Sequence, residues 1–500
     1  MTDSAPATYS RRRWLRASVG SAASALLSPM AQAAPAPGNL PREFRAAWIA
    51  TVHNLDWPSR PGLPVDEQKA QLVSQLDAAA RLHLNAVIFQ VRPSGDAVYA
   101  SSLEPWSPFV SGSMGRSPGY DPLAFVVREA HRRGLEVHAW FNPFRARAAK
   151  AHPPVGNHLA VRRPQWVRSF GGGLWFDPGE PGVRDHTIRV ITDVARRYQV
   201  DGIHIDDYFY PYPPPGAVGI GTSSFPDGAT FAKHGRGMNR AAWRRSNVDA
   251  FVSGLYRSVK GVRSAAKVGI SPFGIWRPGV PPSIKGQLDS FEYLAADSRE
   301  WFARGWCDYL APQLYWSIQP ADQSFDTLLR WWHQQNRTGR HLWPGMAIDR
   351  IGPKRPAGEI VSQIALTRAL APRGRAGGCH WALKALRQNR GRIQDALLTG
   401  PYASRAAVPA SPWLGAAVPE APRALCQGGI LRINPPADAG WIAVQSWDDR
   451  EWQLAEILHC DASDSCAPIE SRVPDDTRLI ALRTLSPNGV ESDPVLVAVA

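Results

Sequence analysis

Eight apolar runs, each but the last separated from the next by a segment of helical periodicity, constrain this 500-residue chain more than any other feature. They are "FRAAWIATV" (44–52), "NAVIFQV" (85–91), "LEVHAWF" (135–141), "VDGIHIDDY" (200–208), "KVGISPFG" (267–274), "CDYLAPQLYW" (307–316), "HLWPGMAI" (341–348) and "GGCHWAL" (377–383). Short apolar runs bounded by Gly, Pro or polar clusters read as buried strands. Between them, stretches such as "VDEQKAQLVSQLDAAARLH" gather Leu72, Leu76, Ala79 and Ala80 on one helix face. Strands alternating with helices of this length form parallel βαβ units. Eight units predict a closed (β/α)8 TIM barrel, an α/β fold. An open doubly wound sheet would want a glycine-rich phosphate turn after its first strand, and "TVHNLDWPSR" supplies none.

Beyond residue 412 the pattern changes. Short stretches such as "ILRI", "GWIAVQSW", "WQLAEIL" and "PVLVAVA", separated by Gly, Pro and Asp clusters, predict a small all-β sandwich. Its ending, "LIALRTLSPNGVESDPVLV", reads as the last two strands of a fibronectin-type-III-like module joined at Asn-Gly. The expected organisation is a signal peptide over 1–33, a linker over 34–41, the barrel over 42–405 and the sandwich over 412–500.

The leader reading rests on "SRRRWLRAS", a twin-arginine export pattern, followed by an Ala/Ser-rich stretch ending in Ala31-Gln32-Ala33. The stretch is too polar to span a bilayer, and no later run reaches 18 apolar residues, so no stable membrane insertion is expected. A periplasmic or secreted location follows. Formal net charge is +14, and losing the leader, with four Arg and one Asp, leaves about +11. Such a charge attracts anionic polymers. Export favours cell-wall polymers as partners, and no nucleic-acid-binding motif is present. Of the five cysteines, Cys307 and Cys379 read as core, while Cys426–Cys460 and Cys460–Cys466 are both open as disulfides. The sequence carries no signal for oligomeric state.

In a barrel of this kind the C-terminal strand ends converge on one face. Those ends, and the loops after them, carry Arg92, Asp96, Glu104, Trp106, Asn142, Arg145, Asp206, Asp207, Tyr208, Gln313, Tyr315, Trp316, Asp349 and Trp381. Carboxylates and amides for hydroxyls, with flat aromatic faces for C–H edges, are the mixture that binds sugars. Two-residue alternation puts His204 and Asp206 on one face of the fourth strand. A polar residue inside a barrel is costly unless it binds something. Asp206 is therefore expected in the mouth, with His204 one layer deeper and Asp207 at the rim. Glycoside hydrolysis needs two carboxyl groups. Asp206 is the first; Glu104, Asp207, Asp297 and Asp349 compete for the second. Glu104 lies in a long loop able to fold over the mouth, whereas Asp297 opens the capping pattern "DSRE".

"FRAAWIATVHNLDWP", "NAVIFQVRPSGDAVYASSLEPWS", "HAWFNPFR", "VDGIHIDDYFYP", "SPFGIWRP", "ADSREW" and "CDYLAPQLYW" together resemble the bacterial glycosyl-hydrolase-like family 10, once a domain of unknown function. The resemblance runs in order over roughly residues 40–400. It implies a (β/α)8 barrel and, for a division-associated member, cleavage of peptidoglycan glycan strands stripped of stem peptides. That member is lipid-tethered, whereas this chain has no Cys near its leader's end. "DGIHIDD" is also similar to the nucleophile strand of alpha-amylase-like barrels, which would put the nucleophile at Asp206; the fifth-strand Glu of that pattern is missing from "ISPFG".

Three readings follow: an exported glycosidase acting on cell-wall glycan, a catalytically silent glycan-binding barrel, and a metal-dependent polysaccharide deacetylase. The 13 histidines form no HxH or HxxxH pair, which weighs against the third. No cofactor or metal is expected.

Overall fold

The computed structural model describes residues 36–213, 225–460, 468–473 and 477–499. The leader over 1–33 and Cys466 lie outside the described residues. Eight parallel strands form the barrel: β1 (Phe44–Ile49), β2 (Ala86–Arg92), β3 (Glu136–Phe141), β4 (Gly202–Ile205), β5 (Lys267–Ile270), β6 (Tyr309–Leu310), β7 (His341–Leu342 continued by Gly345–Ala347) and β8 (Gly377–Trp381). The first half of β7 pairs with β6 and its second half with β8, so the sheet closes on itself across Trp343-Pro344. Helices Val65–Arg81, Pro122–His131, Pro181–Arg197, Arg240–Val262, Phe325–Gln335 and Ala357–Leu370 surround it. Asp121 and Ser324 begin two of them as caps, accepting from Ala124 N and Thr327 N.

Strand alternation divides the core. Ala47, Ile49, Val87, Phe89, Val137, Ala139, Ile203, Ile205, Val268 and Ile270 face the helices. Phe44, Ala46, Trp48, Ile88, Trp140, Tyr309, Trp343 and Cys379 fill the interior. Two inward glycines make room for rings: a Cβ on Gly269 would sit 1.9 Å from the Tyr309 ring, and one on Gly202 2.6 Å from His138. Strands β5, β6 and the first half of β7 are cut short near Pro272, Pro312 and Pro344, which cannot donate to a ladder. The apolar runs "KVGISPFG" and "CDYLAPQLYW" therefore yield shorter strands than their lengths suggest. Isolated bridges Phe273–Gln313 and Gln313–Gly345 carry the wall upward.

Among the described residues seven antiparallel strands follow. Arg423–Gln427, Ile430–Asn434 and Ile469–Arg472 form one sheet; Trp452–His459, Trp441–Trp447, Leu479–Leu485 and Val495–Ala498 form the other. Leu431, Ile433, Ile442, Ile480 and Leu482 are buried between them. Cys426 and Cys460 are free thiols, so that pairing is not formed.

The sandwich docks on the base of the barrel, away from the strand C-termini. Leu40, Ala407, Trp441, Leu454 and Leu485 share one cluster, and the His131 ring stacks on His459 at 3.8 Å. The segment expected as a linker is held in this contact: Arg483 donates to the Pro37 and Gly38 carbonyls, and Leu40 is buried. A chain ending at residue 415 should therefore melt below the full chain, by roughly 5 °C or more, and bind a hydrophobic dye at its exposed base. Equal melting temperatures would mean the two parts fold independently.

Candidate active site

A cavity of about 680 Å³ opens at the C-terminal ends of the strands. Trp48, Trp140, Asp206, Asp207, Tyr208, Tyr212, Ser271, Gln313, Tyr315, Asp349, Arg350 and Trp381 line it. Strand β4 ends at Ile205, and the chain then turns, with Phe209 N donating to Asp207 O at 2.9 Å. Past the end of the ladder strict alternation lapses, and both aspartates face the same space.

Their partners differ. Asp206 Oδ2 accepts from Trp140 Nε1 at 3.1 Å and from Asn142 Nδ2, while Oδ1 receives only Tyr208 N at 3.4 Å. The Asn142 amide is oriented from behind. Thr51 N and Val52 N donate to Gln90 Oε1 at 2.8 and 2.9 Å, so Gln90 Nε2 donates to Asn142 Oδ1 at 2.6 Å. Asn142 Nδ2 is then the group left to face Asp206. Asp207 Oδ2 accepts from Tyr212 Oη, and the Gln313 side chain hydrogen-bonds the same carboxyl.

Burial, and secondarily the charge of Asp207, pushes the Asp206 carboxyl up to about 7. Asp207 is raised as well, by burial, against the hydrogen bonds from Tyr212 and Gln313. The two carboxyls are adjacent and both raised, so they titrate as a unit. Of the two Asp206 oxygens, Oδ1 has the fewer and longer hydrogen bonds and is the better placed to carry a proton. Arg145 lies behind the site with its guanidinium 4.1 Å from the Tyr208 ring centre, and its charge opposes both upward shifts.

Beneath the pocket a hydrogen-bonded chain descends the barrel axis. Trp48 Nε1 donates to His204 Nε2 at 3.2 Å. His204 Nδ1 meets Tyr309 Oη at 2.8 Å, and the same hydroxyl meets His138 Nδ1 at 2.8 Å. His138 Nε2 reaches Glu136 Oε2 at 3.1 Å, and Lys267 Nζ donates to Glu136 Oε1 at 2.9 Å. An indole can only donate, and an ionised carboxylate only accepts. Burial holds the His204 imidazole well below its usual value, so it is neutral. Its Nδ1–H then donates to Tyr309, and Tyr309 donates to His138. Every proton in the chain is assigned, and the Trp48 ring at the pocket floor is held by it.

Of the residues selected from sequence, Asp206, Asp207, Tyr208, Gln313, Tyr315, Asp349 and Trp381 line the pocket. Asn142, His204 and Arg145 support it from behind. Arg92, Asp96, Glu104, Trp106 and Trp316 are not among the lining residues. Glu104, expected as a candidate acid, is fully buried in a two-pronged pair with Arg92 at 2.6 and 2.7 Å and also contacts His186 at 3.0 Å. Those partners hold its carboxyl far below the usual range despite burial. Arg92 spends its remaining donors on the Asn142 and Pro143 carbonyls. Asp96 accepts from Ser94 N, Trp106 pairs through its backbone with Ala97, and the Trp316 ring packs edge-on to Phe273. Asp297 caps its helix, accepting from Glu300 N. Trp48 and Trp140 were not selected from sequence, because attention to strand ends passes over inward residues one layer down. The alternation that selects His204 and Asp206 also puts Trp48 beside Ala46 and Ala50, and Trp140 two residues before Asn142.

The sequence profile of the family described as Glycosyl hydrolase-like 10 matches residues 43–358. The chain belongs to this family. Among its relatives, a glycosyl hydrolase of Bacillus subtilis strain 168, YngK, is 39% identical over 398 residues, 76% of each chain. Escherichia coli K12 DigH, also named a glycosyl hydrolase, is 34% identical over 333 residues, 62% of this chain and 74% of its own. Among solved structures, the PgaB (BpsB) glycoside hydrolase domain from Bordetella bronchiseptica aligns at a TM-score of 0.44 and 14% identity, covering 71% of this chain and 98% of that one. The family profile ends between Asp349 and Trp381, so it takes in every pocket residue except Trp381. The glycosyl hydrolase-like 10 barrel is a glycosidase, and a glycosidase takes a polysaccharide or oligosaccharide substrate.

Two substitutions test this description. Glu104→Gln should cost about 3–5 kcal/mol of stability by stranding Arg92 while leaving turnover per folded molecule unchanged. Lost turnover at wild-type stability would return Glu104 to the chemistry. Tyr309→Phe leaves two buried imidazole nitrogens unpaired, a cost of about 1–3 kcal/mol, and should raise KM with little change in kcat as Trp48 loosens. A fall in kcat alone would contradict that.

Proposed function

We propose that this glycosyl hydrolase-like 10 protein is exported by the twin-arginine route and cleaves glycosidic bonds of cell-wall polysaccharide, with peptidoglycan glycan strands as its substrate. The observation that carries the reading is the Asp206–Asp207 pair, two adjacent buried carboxyls in a pocket walled by Trp48, Trp140, Tyr208, Tyr212, Tyr315 and Trp381. Indole and phenol rings suit the C–H faces of sugars, and a carboxyl still protonated near neutrality is the donor a leaving glycosidic oxygen needs. The leader pattern and the net charge of +14 support an anionic polymer outside the cytoplasm.

Digestion of purified sacculi, with and without amidase pretreatment, tests the substrate. Wild type should release soluble oligosaccharides, more of them from peptide-stripped strands. Sacculus binding without release would instead mark a glycan-binding barrel, and persistence of activity in chelator would remove the deacetylase reading. Asp206→Asn should lower turnover by about 10²–10⁴-fold. Because the acid form of Asp206 is the active one, turnover should fall as pH rises through about 7. Asp207→Asn removes the like charge and should move that limb to lower pH. An unmoved or upward-shifted limb would contradict the assignment.

A further inference from the structure

Asp206 and Asp207 are consecutive, with Cα atoms about 3.8 Å apart, and both enter the pocket from the end of β4. Hydrolysis at an anomeric carbon needs carboxyl groups on its two sides, about 5 to 9.5 Å apart. Two neighbours on one wall supply a proton donor and its countercharge, and the other side of the sugar is left to another group.

We propose that Asp349 is that group, the carboxylate base on the facing wall; this rests on the glycosidase reading above. Asp349 follows β7, three strands round the barrel from β4, and lines the same cavity. Its side chain is half-buried: Oδ1 is shut into the wall with no hydrogen-bond partner among the described residues, and Oδ2 is the oxygen left to face the cavity. Of the other carboxyls near the strand ends, Asp96 also has an unpaired oxygen but is fully buried outside the cavity lining, and the rest are held by partners. Glu104 is held by Arg92 and His186, Asp297 caps a helix, and Asp56 accepts from Ala50 N at 2.8 Å and Lys384 N at 3.3 Å. The turn that carries Asp349 is clamped: Arg390 donates to its carbonyl at 2.6 Å, and the adjacent Arg350 donates to the Tyr315 carbonyl at 2.8 Å. Tyr315 stands between the two walls, with its hydroxyl under the charge of both Asp207 and Asp349. Burial raises the Asp349 carboxyl, and the charges of Arg350, Arg390 and Arg355 oppose the rise.

In the step this assigns, the Asp349 carboxylate takes a proton from a water whose oxygen bonds to the anomeric carbon. The glycosidic C–O bond breaks, its electron pair goes to the leaving oxygen, and that oxygen takes the proton of Asp206. One water is consumed, the anomeric configuration inverts, and solvent returns the proton from Asp349 to Asp206.

The test uses the full chain and amidase-treated glycan strands, with wild type, Asp349→Ala and Asp349→Asn assayed together. Both variants should lose about 10²–10⁴-fold in kcat with KM little changed and melting temperature retained. Sodium azide should restore turnover to the Ala variant, giving a glycosyl azide, but not to Asn, whose amide fills the space. If Ala fails to fold, Asn decides. A kcat loss under tenfold, or retention of configuration in the wild-type product, overturns the assignment and points to the substrate's own 2-substituent or to Asp207 as the second group. No release by wild type removes the glycosidase reading itself, whereas release by wild type and variants alike removes Asp349 alone.

Discussion

An eight-stranded barrel has an interior that its own side chains must fill, because the space is too narrow for solvent and too large to leave empty. Here much of that filling is polar, and it can be so only because each group finds a partner. Trp48, His204, Tyr309, His138, Glu136 and Lys267 form one file from mouth to base. The fixed donor at one end and the fixed acceptor near the other leave a single proton arrangement in between. A buried polar network that is fully satisfied specifies one structure, and one left half-satisfied is worse than an apolar core. The bare faces of Gly202 and Gly269 follow from the same need, since His138 and Tyr309 occupy the space that side chains there would take.

The lower end of this file explains why the sandwich sits where it does. Glu136 and Lys267 are almost wholly buried at the base, and Glu136 also lines the narrow crevice bounded by Trp441, Ile457 and Leu485 of the sandwich. An ion pair inside a barrel is paid for in desolvation, and it keeps its partners only while water stays out. By covering the base, the sandwich joins the environment of the file that holds the pocket floor at the other end.

The sequence made the barrel legible because strand alternation and helix periodicity are local signals. It made Asp206 and His204 legible for the same reason: a polar residue on an inward face stands out against its neighbours. What it could not show were pairings set by the closed fold. Glu104 looks like a free acid in a loop, and only the folded chain brings it to Arg92, twelve residues back, and His186, eighty-two residues on. Trp48 and Trp140 look like ordinary core aromatics, and it is the length of the strands above them that turns them into a floor. The prolines at 272, 312 and 344 were visible, but their joint effect depends on three strands lying side by side.

That effect shapes the chemistry. Where the ladder continues, inward side chains are stacked at regular spacing and leave little room. Where prolines interrupt it, on the arc from β5 to β7, the wall is built from Ser271, Gln313, Tyr315 and the Asp349 turn, held by isolated backbone bridges and by side-chain contacts rather than by a continuous ladder. The opposite arc, β1 to β4, keeps its pairing and holds Asp206 through Asn142 and Gln90. One wall is thus continuously paired and carries the buried pair, and the other is irregular and brings the Asp349 carboxyl to the cavity. A ligand that brings hydroxyl groups and a flat ring into this space satisfies both walls at once, and the asymmetry between them decides which side gives a proton and which side takes one.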